Sequence, residues 1–378
     1  MTFVLSEDQE MLRDTAINFA KDTLPVSHLR DLRAAGAHGI SDRSHSGLSE
    51  MGFYGVLVPE SHGGSGFGMV GMGQILEALG RTITPNALIP SAVIAASAIE
   101  RAGSTAQKDE WLPKLASGEA VFAFALDEGR HHAPTQIATE AESNGQGHTL
   151  TGAKRFVPSA QGATHLLVVA RSFGEPGQEH GLSLFIVPTH ADGLTVSPLN
   201  TVDSHGAAHV SLDDVHVGKD GLIGEADTAF EVIDAVLDLA RIAQSAEILG
   251  SAQAAFELTL DYMNTRRQFG QLIGSFQALQ HRMAIQFTEL EMTRSCVAAA
   301  LSAAENNTKD TPRLASLAKA RTSDLIHLVS NETVQLHGGI GMTDEHDSGL
   351  YMKRARVQEA LYGGASFHRD RYARLQGF

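Results

Sequence analysis

Two neighbouring arginines and a Phe-Gly step form the segment whose residue types best suit a phosphate-bearing ligand. Arg266 and Arg267 come at the end of a long helical pattern, and Phe269-Gly270 follow before the next one. A guanidinium can bind a pyrophosphate through two charge-assisted hydrogen bonds, and a glycine lets the backbone approach it closely. Taken alone, the segment favours the simpler interpretation of a helix C-terminus, where cations offset the helix dipole and a glycine ends the helix.

Two glycine-rich segments could also approach a ligand. Gly338 and Gly339 lie in "VQLHGGIGMTDEHD", where a helix could end against a phosphate or a neighbouring backbone. The earlier segment, "VPESHGGSGFG" at residues 58–68, follows no predicted strand and opens no phosphate-binding helix. Each pattern alone is a weak signal, and the simpler interpretation of both is a solvated turn.

Histidines and acidic residues cluster in two places without forming a metal-binding pattern. His337 and His346 lie close to Asp344, Glu345 and Asp347 in an irregular segment, which is too crowded for a tetrahedral set of ligands. A second segment carries His131 and His132, and adjacent histidines are a similarly poor chelate. We therefore expect no metal site.

The composition limits the class of protein. The 378 residues carry a net charge of −15, so neither nucleic acid nor an anionic membrane is expected as the main partner. The lone Cys296 cannot form an internal disulfide, which fits a reducing compartment. The N-terminus lacks the apolar core of a signal peptide, and no apolar run approaches the roughly 18 residues of a membrane span. We expect a cytoplasmic protein.

Three kinds of pattern follow one another along the chain. Residues 1–120 have mostly helical periodicity, and residues 121–226 contain short β-rich runs that predict an antiparallel barrel or sandwich. Residues 227–378 return to helices long enough for a bundle. The three longest are predicted at Phe230 to Thr265, Phe276 to Ala304 and Pro312 to His337. The sequence therefore predicts a mainly α protein with a central β-domain.

Four segments in this order resemble the acyl-CoA dehydrogenase family. They are "PESHGGSGFG", "LDDVHVGKDGLIGE", "RRQFGQLIGSFQALQHRMA" and "QLHGGIGMTDEHD". The resemblance covers essentially the whole chain. It implies an N-terminal helical domain, a β-domain, a C-terminal four-helix bundle and FAD bound at a subunit interface. It also implies acyl-CoA as substrate and an electron-transfer flavoprotein as electron acceptor.

The resemblance implies a catalytic glutamate that this chain lacks. In the family, a glutamate removes the α-proton of the thioester while hydride passes to the flavin, and an apolar pocket raises the pKa of such a base. One family position for it corresponds to Gly363, or to Tyr362 in a register shifted by one residue. The other corresponds to Ala240. Glu247 lies on the same predicted helix but about 10 Å farther along its axis, too far to replace the base.

The cofactor motifs match the family unequally. The residues that correspond to contacts with the ADP half of a neighbouring subunit's FAD are all present: Arg266, Gln268, Phe269, Gln335, Gly338 and Gly339. The β-domain motifs that hold the isoalloxazine match poorly at residues 126–136 and at Phe156-Val157-Pro158-Ser159. Proline removes a backbone donor there, and phenylalanine lacks the indole N–H of the family's tryptophan.

This combination resembles the base-less subunit of bacterial heteromeric acyl-CoA dehydrogenases that degrade steroid side chains. Those α2β2 assemblies pair it with a base-bearing chain and hold one FAD per heterodimer. The resemblance therefore implies a partner subunit that shares FAD and acts on a bulky acyl-CoA. Two alternatives remain open: a flavin oxidase or monooxygenase on the same fold, and a non-enzymatic acyl-CoA-binding or assembly protein.

Overall fold

The computed structural model describes residues 5–378 and confirms the predicted fold class, helices with a central β-sheet. The described chain divides into two compact units. The first contains Met69–Thr84, Arg241–Phe378 and the described part of Met1–Arg30, and the second contains Asp31–Gly68 and Pro85–Ala240. The three domains predicted from sequence, at residues 1–120, 121–226 and 227–378, stay a prediction.

Helices make up most of the described chain. In chain order they are α1 (Glu7–Thr23), α2 (Val26–Ala34), α3 (Asp42–Glu50), α4 (Gly68–Arg81), α5 (Ala96–Ala102), α6 (Thr105–Ser117), α7 (Phe230–Thr265), α8 (Gln277–Glu305), α9 (Thr311–His337), α10 (Ser348–Ala360) and α11 (Ala365–Leu375). A π-helical segment, Leu88–Ala95, leads directly into α5. No helix within residues 5–378 combines the length and the apolar character needed to cross a membrane.

Three long helices, α7, α8 and α9, confirm the helical periodicity of the sequence. The observed ends of α7, α8 and α9 lie within one residue of the predicted ends. Helix α9 packs against α8, α10 and α11. It also contacts α7, where the Thr333 hydroxyl lies 3.1 Å from that of Thr259. Helix α9 thus has neighbours on several sides, which explains why polar residues along it are buried.

Two glycines let α4 and α7 cross with their backbones in contact. A Cβ at Gly80 would lie 2.1 Å from the Glu247 carbonyl oxygen, and one at Gly250 would lie 1.9 Å from the carbonyl oxygen of Glu77. No side chain fits at such distances. The crossing therefore depends on glycine at both positions, and it fixes the part of α7 that carries Glu247.

The second unit contains one eight-stranded sheet. Its strands are β1 (Phe122–Ala125), β2 (Glu140–Ser143), β3 (Gly147–Pro158), β4 (His165–Arg171), β5 (Leu182–Pro188), β6 (Leu194–Leu199), β7 (Ala207–Gly218) and β8 (Leu222–Ile223). They are hydrogen-bonded in the order β6-β7-β3-β2-β4-β5-β8, and β1 also pairs with β4. A separate two-stranded hairpin, β9 (Arg267–Gln268) and β10 (Gln271–Leu272), lies in the first unit.

The sheet differs in two respects from an antiparallel barrel, one of the two forms predicted for this domain. Strands β1 and β4 are parallel, with Phe122 opposite His165, and β2 meets β4 in one parallel pair. The β2–β3 hairpin lies between β1 and β4 in the sequence. This long connection lets β4 run in the same direction as β1. Within the described residues, β6 and β8 each pair with a single strand, so the sheet is not a closed barrel.

One buried cluster holds the strands together. It consists of aliphatic side chains and Phe185, contributed mainly by β1, β3, β4, β5 and β7. Along β3 and β7, buried and exposed positions largely alternate, as expected for strands with one face toward a core. The sheet is thereby a firm support for the loops that follow β1 and β3.

Candidate functional site

The chain between α10 and α11 passes through a tight turn at Tyr362-Gly363-Gly364. Tyr362 and Gly363 both have positive φ angles, of 56° and 104°. The Gly363 N–H donates to the carbonyl of Ala360 at 3.2 Å, and His368 Nε2 lies 3.0 Å from the carbonyl oxygen of Tyr362. Two consecutive residues with positive φ angles are uncommon outside tight turns. The position expected for a base therefore has a backbone suited to glycine.

There is no free space for a side chain at Gly363. A Cβ built there would lie 2.6 Å from Phe367 Cδ1 and 2.8 Å from His368 Nε2. At Gly364 the φ angle is −82°, and the nearest atom, the carbonyl oxygen of Glu359, would be 3.7 Å away. Of these two glycines, only Gly363 lacks space for a side chain.

A buried lysine lies beneath this turn. Lys319 is fully buried on α9, and its ammonium donates to the carbonyl oxygens of Gln358, Glu359 and Gly363 and to the Ser323 hydroxyl, at 3.0 to 3.2 Å. The sequence analysis did not identify this residue, because a lysine within a helix usually faces solvent. The available signal was its position in "ASLAKA", where small and apolar residues surround it.

The second expected base position also lacks a carboxylate. Ala240 is fully buried in α7. The following residue, Arg241, is fully buried too, and its guanidinium carbon lies 5.7 Å from the centre of the Phe367 ring. Glu247 pairs with Arg354 and accepts a hydrogen bond from Gln358 at 3.1 Å. Its carboxylate is therefore held in a buried ion pair.

The arginine and Phe-Gly segment forms a β-hairpin. Helix α7 ends at Thr265, and Phe269 and Gly270 form the turn between β9 and β10, with φ angles of 53° and 80°. Two such residues are typical of a two-residue hairpin turn. The interpretation of Gly270 as a helix cap is wrong, because the helix ends five residues earlier. The hairpin carries Phe269 with 91% of its surface exposed.

The second glycine segment lies at the same end of the first unit. Tyr262, in the last turn of α7, stacks on His337 at the end of α9 with ring centres 4.4 Å apart. The hairpin and Gly338-Gly339 therefore emerge next to each other. All six residues predicted to contact the cofactor, Arg266, Gln268, Phe269, Gln335, Gly338 and Gly339, are exposed. Their predicted role as contacts to the ADP half of FAD stays a prediction.

This end of the bundle fits the ADP half of FAD. A Cβ at Gly270, Gly338 or Gly339 would meet no atom within 4 Å, so the backbone is open to a ligand there. His337 is buried, and its Nε2 has no hydrogen-bond partner within the described residues. Exposed arginines, open glycines and an unpaired ring nitrogen are suitable contacts for a pyrophosphate and adenine.

No metal site is visible in the described part of the chain. No group of three or more His, Cys, Asp or Glu side chains could hold an ion there. His337 instead packs against His346 with ring centres 4.4 Å apart and the rings tilted by 47°, and burial lowers the pKa of both histidines. These rings act as packing groups.

The polar groups after β1, in the second unit, bind one another. Glu128 accepts hydrogen bonds from the fully buried Lys154 at 2.6 Å and from the backbone and side chain of Thr139. Asp127 accepts from His132 and from the Ala133 N–H. Burial alone would raise the pKa of Asp127, but the hydrogen bond and charge of His132, the Ala133 N–H and the charge of Lys154 together outweigh it and lower that pKa. These carboxylates are already satisfied within the loop.

The segment at the end of β3 also offers few groups to a flavin. The Phe156 N–H donates to His209 Nδ1 at 3.2 Å, and Pro158 has no N–H. The Ser159 hydroxyl donates to the Asn86 carbonyl at 3.2 Å. Phe156 and Ser159 both have positive φ angles, of 51° and 62°. The residues present here do not fit an isoalloxazine ring that needs hydrogen-bond donors.

Sequence models of three consecutive domains match the chain. The acyl-CoA dehydrogenase N-terminal domain matches residues 6–119, the middle domain residues 125–215 and the C-terminal domain residues 229–376. The chain therefore belongs to the acyl-CoA dehydrogenase family, FAD-dependent oxidoreductases that act on CH–CH bonds.

Individual relatives are similar over nearly their whole length. The chain is 31% identical to the probable acyl-CoA dehydrogenase YngJ of Bacillus subtilis, with 98% of both chains covered. A solved variant of the Tcur3481-Tcur3483 steroid ACAD is 32% identical, with a TM-score of 0.86 and 98% of both chains covered. The ChsE4-ChsE5 complex of Mycobacterium tuberculosis has a chain 25% identical, with a TM-score of 0.90, covering 100% of this chain and 99% of that one.

The turn geometry predicts that a glutamate is tolerated at Gly364 but not at Gly363. Gly363→Glu adds left-handed strain, a clash with Phe367 and a buried carboxylate, and should lower the free energy of unfolding by about 3 kcal/mol. The matched variant Gly364→Glu should lower it by about 1 kcal/mol, since it replaces only a helix N-cap glycine. Urea unfolding of both variants measures this difference. Equal losses would contradict the closed turn.

Proposed function

We propose that this chain is the base-less partner subunit of a heteromeric, FAD-dependent acyl-CoA dehydrogenase. The observation that carries the proposal is the turn at Gly363, which has a φ angle of 104° and no space for a side chain. Another carboxylate close to the turn could take over proton abstraction when the family's glutamate is replaced. Here the backbone has a positive φ angle that disfavours a glutamate, which supports a role without proton abstraction.

The nearest carboxylates support this division of labour. Glu247 is 3% exposed and is bound to Arg354, which holds it away from a catalytic role. Glu359 binds Arg356 and His327, and Asp370 forms an exposed pair with Arg374. General-base catalysis needs a carboxylate that can accept a substrate proton. The base must then come from another chain.

The cofactor contacts support sharing of FAD with that chain. The six residues suited to the ADP half lie on an exposed end of the first unit, whereas the polar groups after β1 and at the end of β3 are occupied internally. Phe269 and Met342 are 91% and 83% exposed at the first of these sites. Exposed apolar residues beside a polar binding site are typical of a surface that a partner covers.

The substrate proposal is a bulky acyl-CoA, with a steroid side chain as the leading candidate. One similar structure, Tcur3481-Tcur3483, is described as a steroid ACAD, which supports this substrate class. The ChsE4-ChsE5 complex supports a heteromeric assembly and says nothing of the substrate. Electrons would leave through an electron-transfer flavoprotein. A solved structure that is 28% identical, with a TM-score of 0.93, is described as the electron transferring flavoprotein of Acidaminococcus fermentans.

Purification alone and with a base-bearing dehydrogenase chain encoded beside it tests the proposal. We expect dehydrogenation of a steroid-side-chain acyl-CoA only from the co-purified pair. The isolated chain should neither dehydrogenate the substrate nor retain stoichiometric FAD. An active homo-oligomer with its own flavin would contradict the proposal. Rapid reoxidation of bound flavin by oxygen would support an oxidase instead, and a pair without flavin would support a non-enzymatic assembly protein.

The exposed hairpin provides a prediction about FAD in the pair. Arg266→Gln removes a guanidinium suited to the pyrophosphate and should weaken FAD binding by the pair about 10- to 100-fold, because such charge-assisted bonds are among the stronger ones. Titration of the flavin-free pair with FAD measures the change. Arg101→Gln, at an exposed arginine on α5 of the second unit, is the control and should leave the affinity unchanged. Equal FAD affinities of the two variants would contradict a contact between Arg266 and FAD.

A further inference from the structure

Lys319 has an unusual environment for a lysine. It is fully buried in α9, between the C-terminus of α10 and the start of α11. An ammonium group is costly to bury unless polar partners replace its water. Four oxygens surround this one, and three of them belong to the backbone. A group retained in the core with so many backbone contacts is expected to fix the position of that backbone.

The backbone oxygens lie on both sides of one bend. Gln358 and Glu359 belong to the last turn of α10, where carbonyl groups have no partner within the helix and the helix dipole is negative. The third carbonyl, of Gly363, lies beyond the end of that helix. A single ammonium therefore joins the end of α10 to the residue after it, and it anchors both to α9.

We propose that Lys319 is the positioning residue that holds the Tyr362-Gly363-Gly364 turn in its closed, left-handed conformation. The closed turn places Phe367 and His368 where a side chain at Gly363 would extend. Lys319 holds the Gly363 carbonyl, and Phe367 and His368 occupy the space into which a side chain at Gly363 would extend. The relation to the missing base rests on the proposed function, whereas the contacts of Lys319 do not depend on it.

Charged groups from each neighbouring helix act on Lys319. Burial lowers the pKa of Lys319 to about 7, the carboxylate of Glu359 on α10 opposes this shift, and the guanidinium of Arg241 on α7 adds to it. Helix α11 contributes His368 and Arg371, which contact Ser316 one turn before Lys319. Loss of the ammonium proton removes one donor and the positive charge. The hold on the turn should therefore weaken as the pH rises through about 7.

The free energy of unfolding should rise with pH over the same range in which the hold on the turn weakens. The folded pKa of about 7 lies below the ordinary value of 10.5, so the unfolded chain binds one more proton between these pH values. Lys319 alone therefore raises the folding equilibrium constant by up to about tenfold per pH unit in this window. The turn loosens locally while the fold as a whole becomes more stable, a combination that distinguishes Lys319 from an ordinary packing residue.

Hydrogen exchange of the isolated chain tests the proposal with Lys319→Met. The Gly363 amide, which donates to Ala360, should exchange at least tenfold faster in this variant, while amides within α8 keep their protection. Lys309→Met, at an exposed lysine outside the helices, is the control and should leave the Gly363 amide unchanged. Unchanged exchange at Gly363 in a folded Lys319→Met variant would overturn the proposal.

A titration of the unmodified protein covers the case in which Lys319→Met does not fold. With lysine labelled at Cε, the NMR signal of Lys319 should titrate near pH 7, and the amide signals of Tyr362 and Gly364 should shift with the same midpoint. Amide signals of Tyr362 and Gly364 that do not follow the midpoint of Lys319 would overturn the proposal, whatever the value of that midpoint. Neither experiment needs flavin or a partner chain, so failure here would leave the proposed function to its own test.

Discussion

The hydrogen bonds of the Lys319 ammonium are the interaction on which the first candidate base position depends. They join α9 to the end of α10 and to Gly363, and the turn they hold has no space for a side chain. The difference from a base-bearing family member is thus larger than one substituted residue. A single substitution to glutamate at Gly363 has to overcome backbone strain, a clash with Phe367 and the burial of a charge.

The candidate cofactor contacts are divided in a way that complements this closed turn. The end of the first unit that carries Arg266 and Gly338 is open, exposed and rich in donors, whereas Glu128 and Asp127 in the second unit are saturated by their own neighbours. Exposed donors are available to a ligand, whereas carboxylates that already have hydrogen-bond partners offer it little. Both features are consistent with a subunit that completes a flavin site belonging to another chain.

Much of the fold could be predicted from the sequence, but less of the site. The helical periodicity of α7, α8 and α9 located their ends closely, because long helices with buried faces leave a strong pattern. Strand β3 leaves a weaker pattern, since it is irregularly paired and rich in Thr, Gly and charged residues. The positions of the absent base came from the family resemblance. The closure at Gly363 and the role of Lys319 depend on contacts between distant residues, which no local pattern reveals.

The FAD content of the assembled complex tests the central claim most directly. If this chain completes a partner's site, the purified complex should contain one FAD for each pair of one base-bearing and one base-less chain. Denaturation of the complex, quantification of released FAD by absorbance and quantification of both chains give this ratio. One FAD per pair is the predicted result. Two FAD per pair, one for every chain, would contradict the division of labour.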